Sequence, residues 1–283
     1  MVDFSALDGV QLVTKHGLQA VEVKTDVATG LVYLYGAHVA AWAPAGQPSA
    51  LYMSPDSVFT QGEPIRGGIP VITPWFGPSE DGLHGWARIH TWELEDVRND
   101  AGTVTVVLTL AGERPGERDS AALSLRYTVV FGRELGIEFA VTNAGGGEVQ
   151  PELALHAYWA VDARHVSLSG VESGGVDRLN GNAALPDGAF EALTGQTVDR
   201  FYPFTGPIAI ADGTAGRTIT VTSPESDKTV VWNPGTAGSQ SNTDMPDDAW
   251  EHFVCVKATR VRDGAPRLHA GESAILTLHA ALS

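Results

Sequence analysis

Three stretches of the chain carry side chains able to move protons or to hold an anion. The first runs from Gln61 to Trp92 and reads Gln-Gly-Glu-Pro-Ile-Arg66-Gly-Gly-Ile-Pro-Val-Ile-Thr-Pro-Trp75-Phe-Gly-Pro, then His84-Gly-Trp-Ala-Arg88. Its four prolines and five glycines before His84 keep much of it out of a central strand, because proline cannot donate to a ladder. A loop of this kind on a β scaffold is a common place to display binding groups. Trp75, Phe76 and Trp86 offer apolar faces suited to a sugar ring. Arg66 and Arg88 offer the forked donors that match a carboxylate or phosphate, although the same side chains could pair with surface carboxylates. The second stretch is Ala154-Leu155-His156-Ala157-Tyr158-Trp159. An imidazole can gain and lose a proton near neutral pH, but a His flanked by apolar residues also fits as a satisfied core side chain. The third comprises Val231-Trp232-Asn-Pro234, an acidic turn at Asp244-Met-Pro-Asp-Asp248 that reads as a solvated loop, and Phe253-Val-Cys-Val-Lys257.

Other chemistries are poorly represented. No Gly-rich loop ends in Gly-Lys-Ser/Thr and no Gly-x-Ser-x-Gly elbow occurs. His84 and His90, if on one strand, would lie roughly 20 Å apart, too far to share a metal. The single Cys neither completes a tetrahedral set nor builds a disulfide framework. His16, His38, His165, His269 and His279 read as surface or core residues. The 283 residues carry 18 Lys+Arg against 34 Asp+Glu, a formal charge of −16, which argues against nucleic acid as a partner. Neither a signal peptide nor an apolar span long enough for a membrane is visible. The expectation is a soluble, cytoplasmic protein.

The elements that must position these groups are strands. Leu123, Leu125, Tyr127 and Val129 interleave with Ser124, Arg126 and Thr128, and Leu135, Ile137, Phe139 and Val141 follow at the same spacing beyond the Phe131-Gly132 turn. Val104, Val106 and Leu108 share one face, and so do Leu276, Leu278 and Ala280. Period-two patterns of this kind belong to antiparallel sheets with one buried face. Turn signals such as Asp187-Gly188 and Asp263-Gly264 separate them, and no helical period exceeds about two turns. The reading is all-β, a large antiparallel sandwich or barrel, with residues 1–283 as one domain and Asn180 to Thr197 as a surface loop.

Together the stretches resemble the glucose-6-phosphate 1-epimerase (hexose-6-phosphate mutarotase) branch of the aldose 1-epimerase family. The resemblance rests on Arg66-Gly-Gly-Ile-Pro70 with Pro74-Trp-Phe-Gly77, His84-Gly-Trp-Ala-Arg88 and Leu155-His-Ala-Tyr158. It continues through Val198-Asp199-Arg200, Val231-Trp-Asn-Pro234, and Asp244-Met-Pro through Phe253-Val-Cys-Val256. These occur in the family's order. The resemblance implies a galactose-mutarotase-like β-sandwich that interconverts the α and β anomers of a hexose phosphate without metal or organic cofactor.

By resemblance, His156 is the acid toward the ring oxygen, Arg66 and Arg88 hold the phosphate, and His84 and Asp199 line the same pocket, with Gln61 a further candidate there. The family's general base, a Glu, falls at Lys257. An ammonium cannot accept a proton, so Lys257 is expected to be charged and to donate to a sugar or phosphate oxygen. A local slip could instead bring in Glu251 or Asp248. Three outcomes follow: an active mutarotase with a rebuilt base such as Asp199, a sugar-phosphate-binding protein with little turnover, or a different reaction on the same scaffold. The sequence identifies no protein partner.

Overall fold

The structure is a computed structural model that describes residues 3–111, 122–190, 192–203 and 206–283. Two eight-stranded antiparallel sheets and a four-stranded one make up most of it, in agreement with the all-β sandwich expected. The four-stranded sheet is a meander of Val10–Lys15, Leu18–Lys24, Ala28–Tyr33 and His38–Pro44.

One eight-stranded sheet, the core sheet, runs in the order Val166–Ser169, Ile208–Asp212, Arg217–Thr222, Ser273–Leu282, Glu134–Asn143, Leu123–Phe131, Thr103–Leu110 and Glu93–Asp100. It contains every alternating segment read from the sequence. In Leu123–Phe131 the odd positions are buried and the even ones partly or fully exposed, so the pattern is produced by one face meeting the interior. Trp42 of the meander donates its indole N–H to the Gly132 carbonyl at 3.1 Å, tying the two sheets together at a turn.

The other eight-stranded sheet, the site sheet, has Ala183–Ala184, Val176–Asp177, Val198–Pro203, Lys228–Asn233, Phe253–Arg260, Leu153–Leu155 and Val71–Ile72 in order, with Tyr158–Ala160 also paired to Phe253–Arg260. The last is buried along nearly its whole length because it is covered on both sides. Val254, Val256 and Ala258 join the main core with Leu155, Ala157 and Trp159. Cys255 and Phe253 point the other way, into a small aromatic cluster with Tyr158 and Met245.

Two local expectations change. Asn180 to Thr197 is not wholly a surface loop: it contains the short strand Ala183–Ala184, and Phe190 and Leu193 are buried in the main core. His84 and His90 do not share a strand, because a 3-10 turn at Ala87–Ile89 lies between them. The one α-helix among the described residues, Gly235–Ser241, is about two turns long. No described helix is long and apolar enough to cross a membrane.

Candidate functional site

The site lies on the face of the site sheet that points away from the main core. Register explains its composition. Asp199 pairs with Trp232, Trp232 with Cys255, and Cys255 with Tyr158, which places four side chains in one row across the sheet. In the next row Phe201 pairs with Val230, and Val230 with Lys257. Leu155 pairs with Ala258 and Tyr158 with Cys255. The same register therefore holds on both sides of a two-residue break, and His156 stands across from Lys257. The break is closed by another partner: the His156 amide donates to the Pro70 carbonyl at 3.0 Å.

The wall above this face comes from the Pro/Gly-rich segment. At Gly68 and Gly85 the backbone has φ of +58° and +66°. A Cβ at either would collide with a backbone oxygen, of Val39 and Thr73 respectively. These close approaches need glycine: they press the loop carrying Arg66 against the meander strand His38–Pro44, and the loop carrying His84 and Arg88 against Thr73, just beyond the site-sheet strand Val71–Ile72.

The resulting cavity holds about 200 Å³. Arg66, His84, Arg88, His156, Asp199 and Lys257 all line it, together with Phe76, Tyr158, Arg178 and Trp232. Gln61 does not: it is exposed and outside the lining. Of the three aromatic faces expected for a sugar, only Phe76 reaches the cavity. Trp86 is buried in the main core, and Trp75 donates its indole N–H to the Gly82 carbonyl at 3.3 Å. The acidic turn is not simply solvated either. Both Nε and Nη2 of Arg66 lie 2.9 Å from Oδ2 of Asp244, and Nη1 donates to the Tyr158 hydroxyl at 3.2 Å. Two of Arg66's five N–H groups are then left for a ligand.

Arg178 and Tyr158 were not singled out as site residues by the sequence. Arg178 opens a 3-10 turn capped by Asp177, and its Nη1 sits 3.1 and 2.9 Å from the two oxygens of Asp199. Asp199 is thus held by a cation instead of standing free as a base. Glu251, the slipped alternative, pairs with Arg164 at 2.8 Å and lines a different cavity. Asp248 is exposed beside His252. Neither lines the cavity of Lys257.

Charge is distributed unevenly in the cavity. Four cations line it, Arg66, Arg88, Arg178 and Lys257, with Asp199 the one carboxylate among the lining residues and Asp244 just behind Arg66. Arg88 donates to the Leu83 carbonyl at 2.6 Å, while its Nε is buried with no hydrogen-bond partner and no described carboxylate pairs with it. Burial, foremost, pulls its guanidinium down to about 10. Lys257 is 3% exposed and also makes no ion pair among the described residues. Its Nζ lies 5.1 Å from the ring centre of Trp232 and 5.5 Å from that of Phe76. Burial lowers its pKa to about 8, with Arg178 and Arg66 adding to the effect and Cys255 and Asp199 opposing it.

Both imidazoles are neutral. The Gly77 amide donates to Nδ1 of His84 at 2.9 Å, so the proton of neutral His84 resides on Nε2. Burial, then Arg88 and Lys257, hold His84 far below the ordinary imidazole range. His156 is 5% exposed, stacks on Tyr158 at 4.9 Å between ring centres, and has no hydrogen-bond partner at Nδ1. Burial and then the Lys257 cation push it well below 6.5. The pocket thus combines a buried proton donor, Lys257, with an imidazole acceptor opposite. Among the described residues no group of three His, Cys, Asp or Glu side chains is placed to hold a metal.

The sequence model of the family described as "Aldose 1-epimerase" matches residues 19–279. A protein of Escherichia coli (strain K12) named "Putative glucose-6-phosphate 1-epimerase" is 35% identical over 231 residues, covering 79% of this chain and 77% of that protein. The crystal structure of a Salmonella typhimurium protein, titled a "putative mutarotase (YeaD)", superposes with a TM-score of 0.89 at 28% identity, covering 99% of this chain and 95% of that one. A galactose mutarotase-like protein from Clostridium acetobutylicum shares the fold, with a TM-score of 0.72 at 11% identity, covering 97% of this chain and 98% of that one.

Proposed function

Because the chain belongs to the aldose 1-epimerase family, we propose that its cavity binds a hexose 6-phosphate and interconverts the two anomers by opening and closing the ring. The observation that carries the substrate class is the uncompensated charge. Setting Asp199 against Arg178 and Asp244 against Arg66 leaves Arg88 and Lys257 without counter-ions in a chain of net charge −16. A phosphate monoester brings about −1.5 to −2 at pH 7, which matches that excess. Arg88, with its free donors, and the two remaining N–H groups of Arg66 form the phosphate subsite.

Ring opening needs an acceptor for the anomeric hydroxyl proton and a donor to the ring oxygen. The protonation states favour neutral His156 as the acceptor and the Lys257 ammonium as the donor. This is the reverse of the assignment that the resemblance implies for a His–Glu pair, and it removes the need for a carboxylate base. The Lys257 donor, at about 8, lies near the working pH, and His156 is unprotonated and so open to accept. His84, through Nε2–H, is a second donor to sugar hydroxyls, and Asp199, steadied by Arg178, is an acceptor for them.

Exchange spectroscopy by NMR on glucose 6-phosphate tests this reading. The native chain should accelerate anomer exchange above the buffer rate, and His156→Ala should lose on the order of 10²–10⁴-fold. Arg88→Ala should weaken glucose 6-phosphate while leaving free glucose little changed. Equal losses for both sugars would remove the phosphate from the assignment. The second reading, a sugar-phosphate-binding protein with little turnover, is favoured by one feature: no carboxylate lining the cavity is free of a cation. It predicts calorimetric binding of glucose 6-phosphate, exchange at the buffer rate, and a gain of activity in Lys257→Glu.

A further inference from the structure

We propose that Lys257 is a carbonyl-reactive amine that condenses with the aldehyde of an open-chain aldose phosphate to form a reversible imine. The inference rests on the reading of the cavity as an aldose-phosphate site and adds a covalent step to it. Four lysines occur in the chain. Lys15 and Lys24 pair with Glu22 at 2.6 and 2.8 Å, and Lys228 pairs with Asp227 and Asp263 at 2.6 and 2.5 Å. Lys257 alone is buried, without a carboxylate partner, and faces a cavity. It lies over two aromatic rings, opposite an imidazole with an unpartnered nitrogen. Activated lysines are commonly generated in this way, by desolvation in an apolar pocket beside other cations. At pH 7 roughly a tenth of such an amine is neutral, against well under a hundredth of an ordinary lysine. Ring opening in the same cavity supplies the second reactant, because the open chain ends in an aldehyde at C1.

The step balances without an oxidant or reductant. The neutral Nζ attacks C1, its lone pair forming the C–N bond while the carbonyl π electrons move to oxygen. His156 takes a proton from nitrogen, and the oxygen takes from solvent the proton that the ammonium released there on becoming neutral. The imidazolium then returns its proton to this hydroxyl, which leaves as water as the nitrogen lone pair closes the C=N bond. In sum, ammonium and aldehyde give a protonated imine and water. With C1 planar, readdition of water from either face regenerates the aldehyde and permits closure to either anomer.

Reductive trapping provides the test. The native chain is incubated with glucose 6-phosphate and cyanoborohydride, digested and mapped by mass spectrometry. The expected result is one adduct, of the mass of the sugar phosphate less one oxygen, on the peptide containing Lys257. Its yield should exceed that at Lys15, Lys24 or Lys228 by roughly tenfold or more. The yield should rise between pH 6 and pH 9 as the amine loses its proton. That titration is set by the groups facing Lys257: Asp199 and Arg178, Arg66 and Arg88, His84 and His156, and Cys255 on its own strand. Lys257→Arg keeps the cation and should give no adduct. Sorbitol 6-phosphate, which has no carbonyl, is titrated calorimetrically in parallel with the native and Arg88→Ala chains. If it binds the native chain through Arg88 but trapping leaves Lys257 unmodified, the imine is refuted and the pocket reading stands. Adduct spread evenly over all four lysines is ordinary glycation and also refutes the imine. If sorbitol 6-phosphate binds neither chain and no adduct forms, the pocket reading fails along with it.

Discussion

Replacing Lys257 by Met should stabilise the folded chain at neutral pH. The side chains are similar in length, and Met keeps contact with the rings of Phe76 and Trp232. Lys257 is 3% exposed and its pKa falls from an ordinary 10.5 to about 8 in the fold. A cation whose folded pKa is depressed binds fewer protons folded than unfolded between these values, so stability rises with pH across that window. The destabilisation is fully present below pH 8 and is gone above 10.5. At about 1.4 kcal/mol per tenfold change in proton affinity, it amounts to about 3 kcal/mol at pH 7 and about 1 kcal/mol at pH 10. Loss of the two cation–π contacts offsets about 1–2 kcal/mol of the gain. The expected result is a Lys257→Met chain more stable at pH 7 by about 1–2 kcal/mol, with an advantage about 2 kcal/mol smaller at pH 10. Urea unfolding of both chains at the two pH values measures it. His156 is neutral throughout this interval and does not confound the comparison. A Lys257→Met chain less stable at pH 7, with a deficit that does not change at pH 10, would refute the account of an uncompensated buried cation.

Three further outcomes follow from buried groups. His38, held at about 3 by burial and Arg88, stays neutral in the fold with His84 and His156, while the unfolded chain protonates near 6.5. The unfolded state therefore binds more protons on acidification, and the stability measured by urea unfolding should fall between pH 7 and 5.5, by up to about 4 kcal/mol; a flat profile would count against neutral imidazoles. Asp244→Ala strips Arg66 of its carboxylate and should cost about 1–3 kcal/mol in urea unfolding, and a neutral effect would mean that Arg66 does not depend on that pair. Gly30→Ala places a methyl group against the Phe131 ring where the meander meets the core sheet, and should lower stability by about 1–3 kcal/mol, read as a lower urea midpoint.

The fold was legible because the core sheet is wetted on one side. Leu125 and Tyr127 alternate with polar neighbours since only their face meets the interior. The site sheet was harder to read, because Phe253–Arg260 is covered on both faces and its apolar run has no period to interpret. Lys257 stood out there only as a charge within that run. Arg66, His84, Arg88, His156, Asp199 and Lys257, read from five separated motifs, do line one cavity. Arg178 was missed because its link to Asp199 depends on pairing between Val176–Asp177 and Val198–Pro203, which spacing alone does not reveal. The Asp244 turn was read as solvated because acidic turns usually are. Only its position beneath Arg66 makes it a counter-ion. Trp86 was read as a sugar platform because a Pro/Gly-rich loop is normally superficial, yet the collision-free path at Gly85 lets this loop sink its indole into the core.

The unbroken register on either side of residues 156 and 157 has a consequence for how such a protein can diversify. His156 and Lys257 are opposed by the ladder itself, whereas Arg66, His84 and Arg88 hang from connecting segments above it. Lengthening or replacing those segments would reshape the rim of the cavity without moving the two opposed side chains. Conversely, a single-residue insertion in either ladder strand would turn one partner to the far side; on the function proposed, anomer exchange would stop while the rim that holds the ligand stayed in place.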